Sequence, residues 1–157
     1  MAVDIFLKLG DVKGESLDKT HQGEIDVLSW NWGVTTPTNG SGSGGSSGRP
    51  RAHEFRIVHH YDLASPHLAS FAATGKHLKD ATLNVAHSGA RKDFLTVTMK
   101  DLVVTEVLVS GDEDDVDEEV ALQPAWIRFD YAEPGPGGGA SGRTSSVTWD
   151  IRSNKMG

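Results

Sequence analysis

Residues 2–35, AVDIFLKLGDVKGESLDKTHQGEIDVLSWNWGVT, decide the fold class. Val3, Ile5, Leu7 and Leu9 alternate with Asp4 and Lys8, the period of a half-buried strand, and Phe6 alone breaks the pattern. A polar crossing follows, from Gly10 through Asp11, Val12, Lys13, Gly14, Glu15 and Ser16. A second strand is expected over Gly23–Thr35. Its apolar phase switches between Val27 and Leu28: Ile25 and Val27 share one face, and Leu28, Trp30, Trp32 and Val34 the other. One inserted residue reverses which face is apolar, so the switch predicts a β-bulge.

The same period continues downstream. His53–Asp62 places Phe55, Ile57, His59 and Tyr61 on one face, and Ala81–His87 places Leu83 and Val85 together. Phe94–Val109 is a long β-rich run in which Asp101 marks a turn or bend. Val120–Ala132 shifts phase at Pro124, and Val147, Trp149 and Ile151 share the last apolar face. One helix is expected, Ser65–Thr74, with Ser65 as N-cap, Pro66 at the first helical position and Gly75 as the C-terminal stop. Many strands and one short helix predict a mainly β chain, a barrel or sandwich with the helix packed outside.

At 157 residues the chain is read as one domain, 1–157, large enough to bury a core without staples. It has no cysteine, which removes disulfides and thiolate zinc sites. No stretch nears the roughly 18 apolar residues of a membrane helix, and no basic leader with an apolar run is visible, so synthesis in the cytoplasm is expected. The net charge of −7 and scattered basic residues argue against nucleic acid as a partner. Thr38–Gly48 and Pro134–Gly142 are Gly-rich and are read as loops within the domain.

Catalytic and metal motifs are weak. Gly40–Gly45 matches a dinucleotide fingerprint in spacing only, because a strand and not a helix follows. The acidic run Gly111–Glu119 has Asp117 and Gln123 where a calcium loop starting at Asp112 needs Gly and Glu, so it reads as a charged turn. His59 and His60 are adjacent and point to opposite faces of a strand, so they cannot share a metal; His59 is expected to pack, and His67 and His77 to be exposed. The Asn39-Gly40-Ser41 sequon carries no weight without a leader. No cofactor, metal or catalytic residue is expected. The four tryptophans could form a sugar-stacking platform, and a carbohydrate-binding β-sandwich is the alternative reading. The phase of Trp30 and Trp32 favours packing, and Trp126 stands out of phase with Ile127 and Phe129, free to face a partner.

Asp4-Ile5-Phe6-Leu7-Lys8, Gly14-Glu15-Ser16 and Ile25-Asp26-Val27-Leu28-Ser29-Trp30-Asn31-Trp32-Gly33 together resemble the haemolysin-coregulated proteins (Hcp) of type VI secretion. Ser65-Pro66-His67-Leu68, Gly75-Lys76-His77, Tyr131 and Thr148-Trp149-Asp150-Ile151 agree with that resemblance. It implies a closed β-barrel of two antiparallel sheets with one external helix, a homohexameric ring, and rings stacked into a tube. It also implies partners: the spike protein, the contractile sheath and effectors held in the lumen. Export would take the chain from the cytoplasm to the exterior or a target cell on sheath contraction, with no membrane insertion. Assembly contacts are expected at Asn39, Gly40, Ser41, Gly42, Gly44, Gly45 and Gly48 of the Gly/Ser loop, which could reach the next ring, and at Trp126.

Overall fold

The computed structural model describes residues 2–38, 48–90, 92–135 and 140–157. The first strand, β1 (Val3–Leu9), turns Leu7 and Leu9 inward as expected. Phe6 points outward yet is only 5% exposed. The crossing covers it, and the His21 ring stacks on it with centroids 4.5 Å apart. The residue that spoils the alternation is therefore buried by a second layer.

The expected strand Gly23–Thr35 is broken into β2 (Ile25–Val27), β3 (Ser29–Asn31) and β4 (Val34–Thr35). The bulge lies where the phase switch placed it. Leu28 donates its N–H to the Val58 carbonyl (2.8 Å), and β2 and β3 pair with different strands on either side of it. The inner row runs Ile25, Val27, Trp30 and Trp32. Leu28 leaves that row and is 49% exposed, because two successive residues at the bulge, Leu28 and Ser29, both face out; Val34 keeps the phase of Trp32 but stands on β4 and is 48% exposed.

The chain continues through β5 (Arg51–Ala52), β6 (Phe55–His60), α1 (Ser65–Thr74) and β7 (His77–His87). It ends with β8 (Asp93–Gly111), β9 (Val116–Pro134), β10 (Ala140–Asp150) and β11 (Lys155–Met156). All pairings are antiparallel: β1 with β2 and β7, β7 with β8, β8 with β9, β9 with β6, and β6 with β3. Only Leu28 separates β3 from β2, so this succession returns to its start and closes a barrel. β4 and β5 pair apart as a small second sheet, an arm beyond the barrel rim.

β8 and β9 are long enough to serve two structures. The first part of β9 (Asp117–Leu122) pairs with β6, and its later part (Trp126–Pro134) pairs with β10. The change of partner occurs at Pro124, opposite Leu102 and beside Asp101, whose φ is +50°. Both expected irregularities thus belong to one bend. The Gly-rich stretch 134–142 is shorter as a loop than its composition suggests: Pro134 ends β9, and Ala140 to Gly142 begin β10.

Leu7, Leu9, Ile25, Phe55, Ile57, Leu83, Met99, Leu102, Leu122 and Ile127 fill the interior, each 1% exposed or less. Each such side chain contributes about 1.5–3 kcal/mol relative to exposure. α1 lies outside and packs on β8, burying Leu68 with Phe71 and Ala72 beside it. Ser65 is not the N-cap. It is fully buried inside the first turn, and its Oγ accepts from the Asp62 N–H at 3.0 Å. Asp62 organises the entry, its carboxylate accepting the Ala64 N–H at 2.8 Å. Gly75 terminates the helix in the left-handed region (φ +66°), and its N–H donates to the Phe71 carbonyl.

Candidate functional site

Of the expected assembly residues, Asn39, Gly40, Ser41, Gly42, Gly44 and Gly45 lie outside the described residues, as does the Gly40–Gly45 fingerprint. Gly48 stands at the base of the arm, where its N–H donates to the Pro37 carbonyl at 2.9 Å. A Cβ there would meet Pro37 Cγ at 3.1 Å. Trp126 lies on β9, opposite Asp150 of β10. It is half-buried, and Lys100 Nζ sits 4.5 Å from its ring centroid, so a cation already covers one face.

The other tryptophans point into the fold. Trp30 stacks on Phe55 at 5.5 Å, and Trp32 contacts Phe129 at 5.0 Å and Trp149 at 6.3 Å. This is packing, and it withdraws these three rings from a sugar platform. Between the arm and the sheet β9–β10–β11 lies an apolar cavity of about 220 Å³. Trp32, Ile127, Phe129, Val147, Trp149 and Met156 line it. The cavity was not legible in the sequence, because its walls are far apart in the chain.

The histidines divide by environment. His59 packs, as its phase predicted: it is fully buried, and its Nε2 donates to Glu118 Oε1 at 2.8 Å. Its Nδ1 faces Asp62 Oδ2 at 3.7 Å. Burial alone would lower its pKa, but the pull of Asp62 and Glu118 outweighs burial and raises it. His60, on the opposite face, pairs with Asp117 at 2.7 Å and Asp115 at 3.0 Å in the open. That trio satisfies itself as an exposed ion pair. His67 and His77 are exposed, as expected.

The acidic run Gly111–Glu119 forms the β8–β9 hairpin tip. Asp112 Oδ1 accepts the N–H groups of Asp114 and Asp115, which holds its carboxyl below the usual range. This is a charged, self-capped turn, as the missing calcium ligands required. Outside the barrel, Arg56 on β6 binds Glu106 (2.8 Å), Glu119 (3.0 Å) and Glu54 (3.3 Å). Nothing in this set joins a nucleophile, a base and an oxyanion donor among the described residues. The open features are surfaces and edges. On one side β10 pairs with β9, and on the other side only Thr148, Trp149 and Asp150 meet the β11 end, so no strand pairs with that outer edge at residues 144–147 among the described residues.

Comparison with known proteins agrees with that character. A sequence profile described as "Type VI secretion system effector, Hcp" matches residues 6–131. The protein hcp1 of Pseudomonas aeruginosa is 38% identical over 159 residues, covering 98% of each chain. The crystal structure of Hcp1 from Salmonella typhimurium superposes with a TM-score of 0.83 at 32% identity, covering 99% of both chains. A type six secretion system protein superposes with a TM-score of 0.91 at 26% identity, covering 99% of this chain and all of that one. The closed barrel, the outer helix and these matches along nearly the whole length lead to one conclusion: the chain belongs to the Hcp family of the type VI secretion system.

Proposed function

We propose that this chain is the structural subunit of the type VI secretion inner tube. As a single domain it closes into hexameric rings, the rings stack, and the tube leaves the cell when the surrounding sheath contracts against a spike-tipped core. Effectors travel in its lumen, and the chain itself performs no catalysis and needs no cofactor. The observation that carries this reading is the 38% identity to Pseudomonas aeruginosa hcp1 across 98% of both chains. A match of that extent covers the barrel, arm and helix together, not one local motif.

The physical features support it. An exposed strand edge such as residues 144–147 of β10 is an aggregation hazard unless something covers it. A ring built from one repeated heterologous contact covers an edge on each copy and then stops growing when it closes. Assembly contacts from Asn39 to Gly45, at Gly48 and at Trp126 belong to the same proposal. Negative-stain electron microscopy of the purified protein tests it. Rings with a central hole are the expected result, and a clean monomer at micromolar concentration overturns it. Deleting residues 40–47 tests the loop contribution separately: tubes that form unchanged would remove that loop from stacking.

A further inference from the structure

The first half of the crossing between β1 and β2 is anchored by Val12, which packs against the core, and by Glu15, which accepts the Leu63 N–H at 2.9 Å; its second half, residues 17–24, meets the outer wall through one histidine. His21 is 6% exposed and stacks on Phe6 of β1. Its Nδ1 lies 3.1 and 3.2 Å from the two oxygens of Glu24. Its Nε2 lies 3.0 and 3.1 Å from the two oxygens of Asp93, at the start of β8. Both ring nitrogens therefore face acceptors and nothing else. A neutral imidazole has one donor and one acceptor, so it would turn a lone pair toward one of these carboxylates; only the imidazolium donates to both.

Among the described residues, Glu24 and Asp93 form no ion pair with lysine or arginine. The β7 residues opposite Phe6 and Asp4, Asn84 and Ala86, are uncharged. Asp18 accepts the His21 backbone N–H at 3.1 Å, and Asp4, Asp18 and Lys19 line the adjoining cavity. Within the crossing, the backbone ties itself together: Gly14 donates to Gly23, Gly23 to Ser16, and Ser16 to Glu24. The His21 ring adds the contact of residues 17–24 with the barrel's outer wall, and His21 to Asp93 is a link between residues 72 apart in sequence.

We propose that His21 is a protonation-controlled latch: its imidazolium pins residues 17–24 of the crossing onto the outer wall at β1 and β8, and loss of one ring proton releases that segment while the barrel and the first half of the crossing stay in place. The direction is set by which form is bound. Burial works against the charged ring, but the hydrogen bonds to Asp93 and Glu24 outweigh it, and the pKa is raised in the latched state. The latch is then fully closed below the free-histidine value of about 6.5 and opens as pH rises through the higher, latched value.

The test pairs two measurements on the full-length protein. Imidazole ¹⁵N shifts give the His21 titration. Hydrogen exchange of the 17–24 segment, corrected for the intrinsic pH dependence of exchange, gives its opening. Opening should increase with pH by about tenfold for each unit by which latching raises the His21 pKa, while residues 81–87 and 95–99 keep their protection. Asp93→Asn removes one charge but keeps an acceptor, so it should move both the titration and the opening to lower pH. The latch is overturned if His21 titrates at or below about 6.5, if opening is flat across its titration, if Asp93→Asn changes neither, or if the barrel strands open with the crossing.

Discussion

Replacing His59 by leucine removes the positive partner from a pair shut off from water. His59 on β6 and Glu118 on β9 face each other in register, and both side chains are fully buried. With His59→Leu, Glu118 is left in an apolar interior and neither oxygen has a donor, since Oε2 already lacks one. Removing one member of a buried pair costs about 3–5 kcal/mol. Glu118→Leu is milder, because the abandoned imidazole can lose its proton and leave only an unsatisfied N–H, about 1–3 kcal/mol. The double variant His59→Leu/Glu118→Leu removes both desolvation costs and keeps apolar volume, so it should lie within about 1 kcal/mol of the parent. Urea unfolding at pH 7 reads all three. In a domain of this size each kcal/mol moves Tm by about 2–4 °C, so His59→Leu should lower Tm by roughly 6–20 °C. The reasoning fails if the two single variants cost the same, or if the double variant costs as much as their sum.

The same pair sets a pH dependence. The His59 pKa is raised in the fold, so its contribution is complete below about 6.5 and declines as pH climbs through the folded value; unfolding free energy measured from pH 6 to 9 should fall, and less so in the double variant. Gly14→Ala should be strongly destabilising, because the new Cβ would stand 2.5 Å from the Glu24 carbonyl oxygen and 2.7 Å from its carbon, both backbone atoms; a melting temperature within a degree or so of the parent would contradict it. Phe55→Ala opens the barrel centre under Trp30 and should cost about 3–5 kcal/mol, with a change in tryptophan emission, both read in one denaturant titration.

The sequence carried those parts of the fold that depend on local period. Alternation located β1, β6 and β7, and Gly75 located the end of α1, because each depends on neighbours within a few residues. Ser65 misled for the same reason: as a side chain it suits a cap, but Asp62 three residues earlier captures the exposed amide groups and leaves Ser65 to be buried. The long second strand misled differently. Its apolar content is continuous, but the bulge at Leu28 lets β2 pair with β1 and β3 pair with β6, and that division depends on strands that come before and long after it.

What the sequence hid is held by contacts across long separations. His59 to Glu118 spans 59 residues, and His21 to Asp93 spans 72. Phase could say that His59 points inward, and it did; it could not say that a carboxylate would arrive opposite it from β9. Composition made the same point about charge in a misleading way. An acidic excess of seven suggests a solvated surface, yet Glu118, Glu24 and Asp93 are spent on histidines beneath or against the barrel. Each of these histidines is held between two carboxylates far apart in the chain, His21 between Glu24 and Asp93 and His59 between Asp62 and Glu118. That arrangement links the proton content of two side chains to the docking of a crossing and a helix entry.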